Sequence, residues 1–325
     1  MTYHQLAALI VKELTPLYGD REAVALQRYL FTALTGRSMT ELLPVYREEA
    51  GDELADAVHR SVRQLKEQVP VQYITGKAWF CDLELDVNPH VLIPRPETEE
   101  MVMKIVSETD KNQPYRILDI GTGSGAIAIA LAALLPKAIV TAIDISQHAL
   151  DTAAANAHKN KLKVDFLKAD ILHWDPANAS KKKESFQKQA NYQPNQHPNE
   201  QLYKLFYEQP TNQPANLNFD LIVSNPPYVK RSEMEVMSAN VTLHEPHLAL
   251  FVDDNDPLLY YRSIVNFAHH NLKPGGNLWF EINESEGSNM LELFTGSGFE
   301  DVSLLNDMSG KHRFIRASNY INQRR

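Results

Sequence analysis

The stretch Arg116-Ile117-Leu118-Asp119-Ile120-Gly121-Thr122-Gly123-Ser124-Gly125 decides the fold class, because it joins a short apolar strand pattern to a glycine-rich turn that opens into the apolar helix pattern beginning at Ala126. Glycines at such a turn let the backbone approach a ligand closely. They also permit tight packing of strand against helix, so the turn by itself does not prove a ligand site. Asp144 stands at the end of the next strand pattern, 139–145, where its carboxylate can accept hydrogen bonds from ribose hydroxyls. Turn and carboxylate together point to a nucleoside-containing ligand. Gly121, Gly123 and Ala126 also satisfy the looser dinucleotide spacing, which leaves NAD open at this point.

Working outward, apolar strand patterns at 116–120, 139–145, 164–168, 220–224 and 276–282 alternate with helical stretches, which predicts a mostly parallel α/β sheet. Two further runs, 302–305 and 314–317, lie too close together for a helical crossover and predict an antiparallel hairpin at the end of that sheet. Toward the N-terminus the periodicity becomes helical: Leu6, Leu9, Ile10 and Leu14 share one face, and Leu54, Val58, Val62 and Leu65 share another. Breaks at Gly19, Gly36 and Gly51 make this a small bundle. Short β-like runs with Gly and Pro punctuation from Pro70 to Ile93 predict a linker and hairpin. Between about 175 and 218 the chain is rich in Lys, Asn, Gln and Pro and has almost no apolar periodicity, which predicts a flexible surface insertion.

The second motif, Ser224-Asn225-Pro226-Pro227-Tyr228, directly follows the strand pattern 220–224 and narrows the chemistry. A planar amide or aryl NH2 is a poor nucleophile because its lone pair is delocalised, so a site that uses one must orient it and accept its hydrogens. The Asn225 side-chain oxygen and a nearby backbone carbonyl can do so. The prolines stiffen the turn without adding competing N–H donors, and Tyr228 offers a flat wall for a planar group. Positioning of this kind contributes at most about 7–11 kcal/mol. In isolation the motif is a proline-rich turn closing a strand; after a glycine turn and an acidic strand end, in this order, it is a clamp for a planar NH2 group.

Composition sets the boundaries. A chain of 325 residues, 43% hydrophobic and 22% charged, has ample apolar material for two domains, and a net charge of −9 gives no global field toward nucleic acid or anionic membrane. No stable nucleic-acid binding is expected. The lone cysteine, Cys81, can form no internal disulfide, which fits a reducing, cytoplasmic setting. The apolar run 126–135 is too short to span a bilayer, and the N-terminus lacks a secretory pattern. His244-Glu245-Pro246-His247 could suggest a metal, but Pro246 breaks any helix that would align the ligands and no third ligand is evident; no metal is expected.

These motifs, together with Pro70-Val71-Gln72-Tyr73-Ile74-Thr75-Gly76, Ile93-Pro94-Arg95-Pro96-Glu97-Thr98-Glu99, Glu245-Pro246 with Ala249-Leu250, and Leu272-Lys273-Pro274-Gly275-Gly276, carry a family likeness. The chain resembles the protein-(glutamine) methyltransferases of class I peptide chain release factors, the PrmC/HemK family, over nearly its whole length. The resemblance implies a Rossmann-like, seven-stranded class I methyltransferase domain that binds S-adenosylmethionine (SAM), preceded by a small helical bundle. It places a helical substrate-docking domain at 1–68, a linker and β-hairpin at 69–95, and the catalytic domain at 96–325.

The resemblance further implies that Gly121, Thr122, Gly123, Ser124 and Gly125 hold the methionine part of SAM, Asp144 the ribose, and Asp170-Ile171 the adenine, with Asn225, Pro226, Pro227 and Tyr228 on the glutamine amide of a Gly-Gly-Gln tip. Arg95, Pro96, Glu97 and Thr98 match a segment near the cofactor, or else a rigid domain connector. A monomer is expected, with release factor as partner. The chain departs from the family pattern at 252–256, and at Asn283 and Glu286, where Gly and Gln are usual. An adenine N6 methyltransferase is the alternative, since the same clamp suits an exocyclic NH2.

Overall fold

The protein is described by a computed structural model covering residues 1–174 and 219–319; the expected insertion at 175–218 lies outside the described residues. The chain begins with α1 (Tyr3–Thr35), started by a capping box in which Thr2 and Gln5 satisfy each other's backbone N–H, and interrupted at Gly19, where φ is 77°. Two short helical segments follow, α2 (Met39–Leu42) and then the longer α3 (Asp52–Lys66), with α4 (Val71–Thr75) closing the region. The expected stripes are the ones that pack: Leu6, Ile10 and Leu14 of α1 are buried with Val58, Val62 and Leu65 of α3 in one cluster, and Leu9 and Leu54 flank it. Each fully buried Leu or Val contributes roughly 1.5–3 kcal/mol.

Strands β1 (Lys77–Phe80) and β2 (Leu83–Asp86) form an antiparallel hairpin joined by Cys81 and Asp82, both at positive φ, as a two-residue turn of primed type requires. Helix α5 (Pro96–Glu108) then leads into the sheet. Its first turn holds Pro96 at a position whose N–H needs no partner, and Glu97 and Glu99 where the helix dipole favours them.

The sheet is built from β3 (Arg116–Ile120), β4 (Ile139–Asp144), β5 (Asp165–Lys168) and β6 (Phe219–Ser224), with α6 (Ala126–Leu134) and α7 (Gln147–Lys159) between the first three. A two-stranded parallel pair, β7 (Val229–Lys230) and β8 (Phe251–Val252), brackets α8 (Ala239–His244). Then come α9 (Leu259–Asn271), β9 (Leu272–Glu281), α10 (Gly287–Phe294), β10 (Phe299–Asn306) and β11 (His312–Asn319). Among the described residues, seven strands lie in the order β10-β11-β9-β6-β3-β4-β5. Of these seven, β11 alone runs against the direction of the others, and it forms with β10 the hairpin expected at the sheet's edge.

Both faces of this sheet are covered, which is why its strands read as continuous apolar runs and not as alternating ones. Leu118, Ile222, Leu278 and Phe280 pack on the side of α9 and α10. Their chain neighbours Ile117, Leu221, Val223 and Trp279 pack on the opposite side with α5 and α6. No helix among the described residues is long and apolar enough to cross a membrane.

Candidate active site

Chain direction along the sheet reverses between β3, which continues outward to β4 and β5, and β6, which continues outward to β9. Loops leaving adjacent strands there diverge to opposite faces and leave a crevice at the carboxyl ends. A cavity of about 260 Å³ occupies it, lined among others by Gly121, Gly123, Asp144, Asp170, Ile171, Asn225, Pro226 and Pro227. Residues expected from two separate motifs thus share one cavity.

On the β3 and β4 side the site is made by backbone. Gly121 and Thr122 donate their N–H groups to the Ile143 carbonyl at 2.9 and 3.0 Å, stitching the glycine turn to the next strand. Gly123, at φ 56°, donates its N–H to Asp144 Oδ2 at 2.9 Å, and Ser146 N–H reaches Oδ1 at 2.8 Å. The Ile145 N–H also pulls on this carboxylate, which keeps acceptor capacity for a ligand donor. Gly125 is confined by shape: a Cβ there would stand 2.8 Å from Ile129 Cδ1 and 3.0 Å from Ala153 Cβ. Thr122, Ser124 and Gly125 form the turn's buried underside and do not line the cavity. Asp119, fully buried beneath them, accepts from Thr122 Oγ1 at 2.6 Å. Burial pushes the Asp119 carboxyl up to about 7, and burial also raises Asp144, against the pull of its backbone donors.

On the β6 side the site is made by side chains. Ser224 donates its hydroxyl to the Ile120 carbonyl at 2.7 Å, fixing the start of the clamp to β3. Asn225 Nδ2 donates to Thr98 Oγ1 at 3.0 Å, and Thr98 donates in turn to Glu281 Oε2 at 2.6 Å. Tyr228 is partly buried behind the prolines, donates its hydroxyl to Glu281 Oε1 at 3.1 Å, and does not line the cavity. Burial raises the Glu281 pKa, with Thr98, Tyr228 and the Arg313 guanidinium pulling it back.

The chain covers 97% of its length in common with 99% of a release factor glutamine methyltransferase of Bacteroides thetaiotaomicron, at 35% identity over 320 residues. With the enzyme of that name from Flavobacterium psychrophilum it is 42% identical over 258 residues, 78% of this chain and 77% of the other. The chain belongs to the release factor glutamine methyltransferase family. The sequence profile described as PrmC N-terminal domain matches residues 7–76, and that of a methyltransferase domain matches 117–197.

Within this methyltransferase fold, Arg95, Pro96, Glu97 and Thr98 separate in role. Thr98 reaches the clamp, Arg95 pairs with the buried Glu245 at 2.5 Å, and none of the four lines the cavity. Glu245 also accepts from the Ile93 N–H at 3.2 Å, so its carboxylate ties the cavity-lining stretch before Arg95 to the one after Pro246. Asp170 Oδ1 accepts from Leu172 N–H at 3.0 Å, its Oδ2 lies against His173, and Ile171 packs beside it. The departures Asn283 and Glu286 have partners close by: Asn283 Nδ2 donates to Glu233 at 3.1 Å, and Glu286 pairs with Lys230. Together they brace the segment that follows Tyr228.

Sequence reading missed several contributors. Tyr260 and Ile264 of α9 wall the cavity, and nothing in a helical stripe distinguishes a pocket-facing residue from a core one. Asn156, fully buried on α7, donates to the Asp86 and Ser124 carbonyls at 2.9 and 3.0 Å, and so joins hairpin to glycine turn. Glu281 left one visible signal: a carboxylate ending an otherwise apolar strand, as Asp144 does.

Proposed function

We propose that the chain transfers the methyl group of SAM to the side-chain amide nitrogen of glutamine in the Gly-Gly-Gln motif of class I peptide chain release factors. The observation that carries this reading is the orientation of Asn225: its NH2 end is turned to Thr98, which leaves its carbonyl oxygen as the end for a ligand in the cavity shared with Gly121, Gly123 and Asp144. An acceptor at that position suits a substrate NH2.

The donor set fits SAM. Asp144 offers acceptor capacity for a ribose hydroxyl, and Ile143, Ile171, Leu172 and Tyr260 offer apolar wall for a purine. When bound, SAM supplies an electrophilic sulfonium methyl. Asn225 and the stiffened Pro226-Pro227 turn hold the amide plane, accept its hydrogens and direct its nitrogen toward the cofactor side. The amide proton leaves to water once the nitrogen is alkylated, so no metal or covalent enzyme intermediate is required.

A folded protein as substrate is supported by the segment that follows the clamp. Val236, Leu243 and Leu248 on it are 87%, 67% and 57% exposed, and Leu248 also lines the cavity. Exposed apolar side chains beside a site favour a protein surface over a phosphate backbone, as does the net charge of −9. We assign residues 1–68 to docking of that partner, with binding energy remote from the reacting atoms used for orientation. The test is incubation with methyl-labelled SAM and either release factor or DNA, followed by mapping of the modified atom. Label on the glutamine amide nitrogen is expected; label on adenine N6 would replace this reading with the nucleic-acid one.

A further inference from the structure

Asn225 presents a difficulty that its own position does not solve. The two ends of a primary amide have nearly the same shape, yet one accepts hydrogen bonds and the other donates them. A clamp that offers its NH2 end to a substrate NH2 sets donor against donor. Something must therefore fix which end faces the cavity.

The buried carboxyl of Glu281 does so through an intermediary. Its oxygens each receive a hydroxyl, Oε2 from Thr98 at 2.6 Å and Oε1 from Tyr228 at 3.1 Å, the pattern of a carboxylate accepting on both sides. Thr98 is itself buried, and its Oγ1 receives Asn225 Nδ2 at 3.0 Å. A hydroxyl carries one proton. With that proton given to Glu281, Thr98 can only accept from its other neighbour, and only the NH2 end of Asn225 can supply the hydrogen. In the reversed arrangement Thr98 would donate to Asn225 Oδ1 and leave a buried carboxylate oxygen without a donor, a costly state away from water.

We propose that Glu281 and Thr98 are positioning residues that set the polarity of the amide clamp: Glu281 orients the Thr98 hydroxyl, and Thr98 holds Asn225 with its acceptor oxygen toward the reacting amide. Through its second oxygen Glu281 also anchors Tyr228, so one carboxylate steadies both ends of the Asn225 to Tyr228 turn. The inference rests on the amide-methylation reading given above. It adds two residues that touch neither substrate nor cofactor yet decide whether the clamp accepts or repels.

The experiment measures kcat, KM for release factor and SAM affinity for the full-length wild type, Thr98→Val, Thr98→Ser, Glu281→Gln and the Thr98→Val/Glu281→Gln double variant. Thr98→Val keeps the side-chain shape and removes the relay, so kcat is expected to fall on the order of 100-fold, the scale of one misplaced hydrogen-bonding group at a reacting centre, with SAM affinity retained. Thr98→Ser, which restores the hydroxyl, is expected to recover most of that loss. Adding Glu281→Gln to Thr98→Val should cost little more, since two residues that act through one relay are non-additive. Near-normal kcat in Thr98→Val, no recovery in Thr98→Ser, fully additive losses, or loss of SAM binding would each overturn the relay. A wild type that leaves the glutamine unmethylated, or full turnover in Asn225→Ala, would instead remove the underlying reading, so the two failures are distinguishable.

Discussion

Two carboxylates at strand ends, the half-buried Asp144 on β4 and the buried Glu281 on β9, occupy corresponding places on opposite sides of the crevice and are held in different ways. Asp144 takes its donors from backbone N–H groups of Gly123 and Ser146, 21 and two residues away. Glu281 takes its donors from the hydroxyls of Thr98 and Tyr228, 183 and 53 residues away. Backbone donors are set by the path of the chain and admit almost any side chain that keeps the path. Side-chain donors are set by residue identity, and they can pass an orientation along, as Thr98 does to Asn225. The cofactor side is therefore rigid and local, and the acceptor side is specific and long-range.

The largest effect that can separate the two sides is on turnover. Asn225→Ala is expected to lower kcat by about 10²–10³-fold, the range for removing one preorganised group from a reacting centre, while calorimetry finds SAM binding retained. A parallel loss of SAM affinity would show that the clamp side also holds the cofactor, and the division would fail.

Next in size is a change to the path of the chain itself. Gly125→Ala adds a Cβ at φ 83°, 2.8 Å from Ile129 Cδ1. Left-handed strain plus overpacking should cost about 2–4 kcal/mol in urea unfolding, with SAM binding lost in proportion. A variant as stable as wild type would mean that the turn relaxes easily and is less rigid than its hydrogen bonds imply.

Asp144→Ala is expected to weaken SAM by about 1.5–3 kcal/mol, the usual worth of hydrogen bonds to a charged group, read by calorimetry. An unchanged dissociation constant would take the ribose away from Asp144.

The effect that is smallest over any one pH unit is a slope. Asp119 has a folded pKa of about 7, above the roughly 3.9 of an unfolded Asp, so the folded state binds the extra proton between those values. Its contribution is fully present below about pH 4, declines as pH rises, and is lost above about 7, at no more than about 1.4 kcal/mol per unit. Asp119→Asn should flatten that part of the stability curve, measured by urea unfolding at stepped pH. An unaltered slope would assign the effect to Asp144 or Glu281, whose burial raises them as well.

Legibility follows the same division. The glycine turn, Asp144 and the clamp residues could be read because each is a contiguous run whose residue types answer to local needs: φ above zero, a carboxylate at a strand end, a stiff turn beside an amide. The strand patterns within 116–168 and 219–319 were readable for a related reason, since a sheet covered on both faces demands unbroken apolar runs, and the closely spaced pair at 302–317 had no room for anything but a hairpin. Thr98 was visible as part of a motif but not as a contact of Asn225, which lies 127 residues away. Asn156 and Tyr260 sit on helices whose other residues pack in the core, and periodicity does not say which of them meets a ligand. By itself, then, the order of residues determined the elements, the parallel sheet and the class of chemistry, because these depend on interactions over a few residues and on the period of apolar positions. Only the tertiary structure decided which carboxylate faces which hydroxyl and which end of Asn225 faces the cavity, because a hydrogen bond is directional and its partners are chosen by how distant strands come together.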